Sequence, residues 1–278
     1  MAHGNTFNAT RQLKFAAKIA EIQKLQTHRS YRDASKQFYV EGVRNFIRVM
    51  DNNLDVSTII YSEKLLTSAI ARKLVRQSRR AGIPCVNISP EQFRHISRTE
   101  KASGIGAIVR QHWQKLQDTF LQTGLCWVIL ETVRSPGNLG TLIRTSEAFG
   151  GAGFILLGNS IDPFDPNVVR SSMGSIYNQK FIRTSFSKLN RWLQHHNCNA
   201  IGASPDGVID CHNFNYPATT MIFLGEERQG LTQKQRDLCQ HLIRIPIAST
   251  VDSLNLAVAG SLLMYEIYQH SLQRHVPS

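Results

Sequence analysis

Apolar positions recur along the chain with two alternating periods. In the first half, Thr10–Thr27 predicts a basic amphipathic helix, because Phe15, Ile19, Ile22 and Leu25 return at helical spacing. Gly42–Met50 predicts another, with Val43, Phe46, Ile47 and Met50 on one face. Val56–Tyr61 (VSTIIY) is a β-branched run of strand length. Ser68–Ala81 predicts a helix stopped by Gly82. A short strand at Cys85–Ile88, a helix at Glu91–Ile96 and a strand at Gly104–Arg110 complete a compact α/β module behind a helical lead-in.

Residues 112–124 are rich in glutamine and end in glycine, which predicts a linker helix or a tether. The expected division is therefore a first domain over 1–111, a linker over 112–123 and a second domain over 124–278. The second half predicts strands at Cys126–Val133, Gly153–Leu157, Asn199–Ala203, Thr219–Leu224 and Leu242–Ile247. It predicts helices at Leu139–Phe149, Ser187–His196, from Leu231 to about Cys239, and from Ser253 to about Leu272. Strands alternating with helices imply a mainly parallel sheet covered on both faces. Ligands bind such sheets at the carboxyl ends of the strands.

Composition narrows the class. A chain of 278 residues with 42% hydrophobic and 19% charged residues can bury a core without disulfides. No apolar run approaches the ~18–20 residues needed to span a bilayer. The opening MAHGNTFNATRQLKF has no apolar stretch of the kind a secretory leader needs. Five scattered cysteines, an odd number, predict reduced thiols and a cytoplasmic protein. The net charge is +12, and it is unevenly placed. Residues 1–120 hold 20 Lys/Arg against 9 Asp/Glu, whereas residues 121–278 hold 12 against 11. A polyanion such as RNA is expected to dock on the first half.

Three loops follow the three best strands of the second half. The first is Asn138-x-Gly140-x-x-x-Arg144 at a strand-to-helix turn. An arginine one turn into that helix can reach back to a phosphate or ribose oxygen; a capped turn with a surface arginine is the plainer reading. The second is Gly225-Glu226-Glu227-x-x-Gly230-Leu231. Paired carboxylates bracketed by glycines are more than a turn needs, although helix N-termini favour acids. The third runs from Pro246 to Asn255 into a helix that becomes small and apolar, with Asp252 or Ser253 as an ordinary cap.

Together these loops resemble the three motifs of the SpoU (TrmH-like) family of knotted SPOUT RNA methyltransferases. NLGTLIRTSEAFG (Asn138–Gly150), LGEERQGL (Leu224–Leu231) and IPIASTVDSLNLAVA (Ile245–Ala259) carry the likeness, and VVRSSMGSIY (Val168–Tyr177) adds to it. Glu226 stands where the family usually has Asn or Ser. FYVEGVRNFIRVM (Phe38–Met50) and TEKASGIGAIV (Thr99–Val109) resemble the L30e-like substrate-binding domain that many members carry first.

The resemblance implies an α/β fold: a parallel-sheet SPOUT domain with a deep trefoil knot, plus a smaller N-terminal α/β L30e-like domain. It implies transfer of the methyl group of S-adenosylmethionine to a ribose 2′-hydroxyl in RNA, with large-subunit (23S-type) ribosomal RNA favoured over tRNA. The cofactor would be held by Leu224, Gly225, Glu226, Ile245, Pro246, Ile247, Leu254 and Asn255. Arg144 would be central, as base or as electrostatic stabiliser. Asn138 would orient Arg144 or the ribose, Glu227 would fix the loop or a nearby arginine, and Ser253 and Asn255 would position the ribose. The resemblance requires no metal. It implies a homodimer through the small apolar face of Ser253–Tyr265.

Other readings are weaker. His195, His196, Cys198, Cys211 and His212 lie close in sequence but lack the paired spacing of a zinc site. Trp113, Trp127 and Trp192 have apolar or helical neighbours and are expected to pack rather than stack on bases. Neither G-x-G-x-x-G nor G-x-x-x-x-G-K-[ST] occurs at a strand–helix junction, which disfavours a nucleotide-dependent enzyme of Rossmann type. A tRNA 2′-O-methyltransferase and an inactive RNA-binding protein of the same fold stay open as alternatives.

Overall fold

The computed structural model describes residues 3–118, 124–196, 198, 200–248 and 253–274, with side chains from Phe15 onward. Contacts divide it into two compact units: Met1–Gln111 with Phe164–Val169, and His112–Pro163 with Arg170–Ser278.

The first unit runs α1 (His3–Thr27), α2 (Arg29–Ser35), β1 (Gln37–Glu41), α3 (Val43–Asp51), β2 (Val56–Tyr61), α4 (Ala69–Arg80), β3 (Cys85–Asn87), α5 (Pro90–Ile96) and β4 (Ile105–Arg110). Its sheet has the order β1-β4-β2-β3, antiparallel except for β2 and β3. Local chemistry sets the helix starts: Ser68 Oγ accepts from the Ala71 amide at 3.3 Å, and Ser89 and Gln92 form a reciprocal capping box ahead of α5. One sheet face buries Tyr39, Ile60 and Ile108 against Ile22 and Leu25 of α1 and Phe93 and Ile96 of α5. Strand β1 and helix α2 had no predicted counterpart. Phe38, Tyr39 and Val40 are buried in succession, so no alternation marks the strand.

The chain continues through β5 (Cys126–Leu130), α6 (Pro136–Ala148), β6 (Gly153–Leu157), α7 (Pro166–Ser171), β7 (Lys180–Thr184), α8 (Phe186–His195), β8 (Ala200–Ala203), β9 (Ile209–Asp210), β10 (Thr220–Leu224), α9 (Gln233–Arg236), β11 (Cys239–Arg244) and α10 (Leu256–Arg274), all in the second unit except Pro166–Val169 of α7. All adjacent pairs in the seven-stranded sheet of the second unit, β7-β6-β5-β10-β8-β11-β9, are parallel. Every residue of β5, β6 and β10 is buried, as a sheet covered on both faces requires. Trp127 and Trp192 lie in the core with Leu189, Met221 and Phe223. Trp113 packs edge-on against Phe181, with the Arg183 guanidinium 4.2 Å from its ring centroid. Chain order reverses between β5 and β10, so a crevice opens at their carboxyl ends.

Several predicted boundaries move: β5 ends at Leu130 rather than Val133, and α6 starts at Pro136 rather than Leu139. The helix expected as far as Cys239 is only the four residues of α9, because Cys239 must be extended to pair with Ala200. Strand β11 therefore ends at Arg244, and Ile245–Ile247 belong to the loop rather than to a strand. The last helix starts at Leu256, not Ser253. The expected linker helix is instead a bridge from Gln114 to Ile182 and one 3-10 turn at Leu116–Asp118; residues 119–123 lie outside the described residues.

All five cysteines are free thiols. Burial pushes Cys126 and Cys239 up to about 12, so neither is a thiolate at neutral pH. No described helix is long and apolar enough to cross a membrane. Among the described residues no three His, Cys, Asp or Glu side chains group to hold a metal ion, and His195 and His196 close α8 while Cys211 and His212 follow β9.

The pair of glycines in the Ser103–Gly106 segment has a steric cause. A Cβ on Gly104, at φ +73°, would meet the Leu66 backbone nitrogen at 2.5 Å. A Cβ on Gly106 would meet the buried Tyr39 ring and hydroxyl, the latter at 2.2 Å. The Gly106→Ala variant is expected to lose about 1–3 kcal/mol of stability through overpacking. A fall in the urea midpoint at unchanged slope checks this; an unchanged midpoint would mean that the Tyr39 ring moves aside at no cost.

Candidate active site

The parallel register of β5, β10, β8 and β11 brings their carboxyl ends side by side, and with them the loops that follow. Pro136 takes the first helical position of α6 after Ser135. Asn138 and Gly140 are therefore inside the first turns of the helix, not in the loop before it, and Asn138 does not cap it. Freed from that role, Asn138 bridges the other two loops. Its Nδ2 donates to Glu227 Oε1 at 2.9 Å, and its Oδ1 accepts from Asn255 Nδ2 at 3.1 Å. Asn255 Oδ1 in turn accepts from the amides of Ala257 and Val258 at 2.9 and 3.3 Å, so Asn255 caps α10. Residues 249–252, including the Asp252 considered as a cap, lie outside the described residues.

The carboxylates of the second loop are turned into the scaffold. Glu227 Oε2 also accepts from the Arg134 amide at 3.2 Å. Glu226 Oε2 accepts from the amides of Gln229 and Arg228 at 2.9 and 3.2 Å, and Arg134 Nε pairs with Glu226 Oε1. The Gln229 amide and the Arg134 guanidinium hold the Glu226 carboxyl below the usual carboxylate range. The loop closes on itself through reciprocal backbone bonds between Glu226 and Gly230. A Cβ on Gly225 would come within 2.2 Å of the Gly230 carbonyl carbon, which is why glycine precedes the acids. Gly140 has a similar reason: a Cβ there would lie 1.9 Å from Ser171 Oγ.

Beside this network is a cavity of about 320 Å³. Its apolar wall includes Leu224, Ile243, Ile245, Ile247, Leu254 and Leu256, and its rim includes Gly225, Glu226, Glu227 and Ser253. Pro246 and Asn255 are not among the lining residues. Arg144 is not either. It is exposed on α6 and donates Nη1 to Met173 Sδ at 3.3 Å, and Met173 itself is in the left-handed region at φ 51°. Of the two roles expected for Asn138, orienting Arg144 or the ribose, the first has no hydrogen bond among the described residues; Asn138 bridges Glu227 and Asn255.

Sequence reasoning missed a further part of the wall. Ser204, Pro205 and Asp206 follow β8, and Arg236 ties them to the second loop. Arg236 Nη2 is 2.7 Å from Asp206 Oδ2 and 3.1 Å from Ser204 Oγ, and its Nε donates to the Leu231 carbonyl at 3.3 Å. The signal was present: Ser-Pro-Asp-Gly just after a buried strand is a turn at the ligand-binding edge of a parallel sheet.

Comparison with known proteins agrees with this geometry. Residues 126–265 match the SpoU rRNA Methylase family, and residues 16–107 match the MRM3-like substrate binding domain. A 23S rRNA (uridine(2479)-2′-O)-methyltransferase of Streptomyces viridochromogenes is 28% identical over 90% of this chain and 88% of its own length. An uncharacterized tRNA/rRNA methyltransferase of Synechocystis is 30% identical over 75% of this chain and 74% of its own. The crystal structure of an AdoMet-bound rRNA methyltransferase from Sinorhizobium meliloti superposes with a TM-score of 0.81 at 28% identity, covering 94% of this chain and 95% of that one. With its motif loops converging on one cavity at the switch point of a parallel sheet, the chain belongs to the SpoU rRNA methylase family.

Proposed function

We propose that this protein transfers a methyl group from S-adenosylmethionine to a ribose 2′-hydroxyl of ribosomal RNA, with 23S-type RNA as the substrate. The observation that carries the reading is the bonded chain Glu227–Asn138–Asn255, which joins the three family motifs beside the cavity. The cavity fits the cofactor. Its volume lies within the roughly 300–1,000 Å³ of small-molecule sites, with apolar walls for a flat base and exposed backbone at Gly225 for its polar edge. Bound S-adenosylmethionine supplies an electrophilic methyl group next to a sulfonium charge.

The chain's own residues do the rest. Leu224, Ile245 and Leu254 exclude water, and Gly225, Glu226 and Ile247 shape the rest of the wall, with Pro246 in the loop between Ile245 and Ile247. Asn255 and Ser253 hold the start of α10 where the ribose would enter. Arg144 stands on the exposed side of α6, where it can hold an RNA phosphate and stabilise charge developing on the 2′-oxygen. The proposal includes a deep trefoil knot within residues 124–278, a first domain over 1–111 that collects RNA, a linker over 112–123, and a cytoplasmic location. It also includes a homodimer. An apolar groove of about 380 Å³ runs between α6 and α10, past Phe149, Val258, Leu262 and Tyr265, and the last three are 41–48% exposed.

Labelled methyl transfer to purified 23S rRNA, 16S rRNA, tRNA and ribosomal subunits, followed by nucleoside analysis, tests the reading. Label in a 2′-O-methylated nucleoside of 23S rRNA is expected. Label on a base would overturn the ribose chemistry, and label in tRNA the substrate. Absence of both label and S-adenosylmethionine binding would favour the inactive RNA-binding protein. The Arg144→Ala variant is expected to lose at least about 10²-fold in rate with cofactor binding nearly unchanged, by calorimetry. Lost cofactor binding would instead place Arg144 in the cavity wall. Val258→Asp with Leu262→Asp is expected to convert a dimer to a monomer in sedimentation; a monomeric parent protein would remove the dimer from the proposal.

A further inference from the structure

Several basic side chains of the first unit pair with an acid. Lys18 pairs with Glu21 at 2.5 Å, Arg29 with Asp33 at 3.4 Å, Arg110 with Asp55 at 3.1 Å and Arg94 with Glu91 at 3.9 Å. Helix α4 carries the densest run of basic residues in the unit. Its sequence AIARKLVRQSRR contains five Lys/Arg and no Asp or Glu. Lys73, Arg76 and Arg80 are all exposed, and none forms an ion pair among the described residues. At 3.6 residues per turn the three fall within an arc of about 60°. The buried Ala71, Val75 and Ser78 lie on the opposite side of the helix. Arg72 and Arg79 lie beside the arc and are engaged elsewhere, Arg72 Nε with the Leu66 carbonyl at 2.6 Å and Arg79 with the Tyr61 hydroxyl.

The helix itself does not favour this arrangement. Like charges three and four residues apart each cost about 0.2–0.5 kcal/mol. Cations near the C-terminus gain from the helix dipole, but Arg72 and Lys73 stand near the N-terminal end, where the dipole opposes them. A stripe without carboxylates, facing solvent along the axis of a helix, complements a row of like negative charges.

We infer that the outer face of α4, carrying Lys73, Arg76 and Arg80, is a docking surface for the sugar–phosphate backbone of helical RNA. The inference rests on the proposed RNA substrate and adds the surface that grips it. Lys73 and Arg80 are separated by about 10.5 Å along the axis, at 1.5 Å per residue, so the stripe spans several successive phosphates. The narrow major groove of A-form RNA excludes a helix, so α4 lies against phosphates bordering the wide minor groove. The contact carries no base reading; it holds and orients the RNA.

Binding of purified 23S rRNA to the full-length protein, measured against salt concentration, tests this. Each lost phosphate contact lowers the slope of log K against log salt by about 0.7–0.9. Lys73→Gln/Arg76→Gln/Arg80→Gln is expected to flatten the slope by about 2–3 while leaving S-adenosylmethionine binding unchanged. Lys18→Gln/Arg29→Gln/Arg110→Gln, which removes equal charge from acid-matched positions, is expected to change it by less than about 1. Equal flattening by both sets would overturn the assignment of the surface, as would a steep slope retained by the α4 variant. In the unmutated protein, 23S rRNA should protect the Lys73 amine from acetylation; unprotected Lys73 in a salt-sensitive complex would also overturn it. Absence of any rRNA binding by the unmutated protein would strike the proposed substrate instead.

Discussion

Asn138 sits between a carboxylate and a helix start, and the architecture of the second unit depends on that position. Its amide donates to a carboxyl oxygen of Glu227 at 2.9 Å. Its carbonyl holds Asn255, which caps α10. Residues 138, 227 and 255 lie far apart in sequence, and only a parallel sheet with adjacent β5, β10, β8 and β11 places them at one edge. The close approach has steric conditions. Gly140 admits Ser171 against α6, Gly225 admits the folded-back Gly230, and Gly260 admits Leu142 and Leu224 against α10. The motif glycines are thus packing requirements, and the motif amides and acids are the bonds that this packing makes reachable.

That distinction explains what could be read from the residues alone. Buried parallel strands announce themselves as apolar runs, so Gly153–Leu157 and Val56–Tyr61 appear with their predicted bounds. The motif loops were recognisable as chemistry because Asn138, Glu227 and Asn255 are polar residues at strand ends. Their mutual contacts were not, since sequence spacing carries no information about which loop lies beside which. Helix α9 shows the same limit. Its Thr232–Gln235 capping box is a local signal, but its early end is set by pairing of Cys239 with Ala200, nearly forty positions away. Arg236 and Asp206 were overlooked for that reason: each looks like surface charge until β8 and β10 are neighbours.

Charge is partitioned by pairing as much as by number. In the second unit Glu226, Glu227, Asp206 and Asp210 are engaged by Arg134, Asn138, Arg236 and Arg244, so acids and bases cancel within the loops they brace. In the first unit Lys73, Arg76 and Arg80 share one helix face and have no ion-pair partner among the described residues. In the proposed function, long-range attraction and local chemistry would be handled by different surfaces. Salt weakens the former by screening and counterion competition, whereas the hydrogen-bonded loops around the cavity are governed by short-range contacts.

The same pairing bears on how the 2′-hydroxyl would be activated in the proposed reaction. A carboxylate is the natural general base, and two stand at the cavity rim. Both are committed: Glu226 to the Gln229 and Arg228 amides and to Arg134, Glu227 to Asn138 and the Arg134 amide. Moving either to take a proton would release the loop that shapes the cavity. Among the described residues Arg144 is free of such duty; its guanidinium donates to a thioether sulfur, a weak acceptor that an RNA phosphate would displace. A guanidinium is a poor proton acceptor but a fixed positive charge with several donors. Covered by RNA, that charge would act in a water-depleted contact, where attraction to a developing oxyanion is strongest. In the proposed reaction this geometry suits Arg144 to stabilise the 2′-oxygen while its proton passes to water or an RNA phosphate rather than to a protein carboxylate.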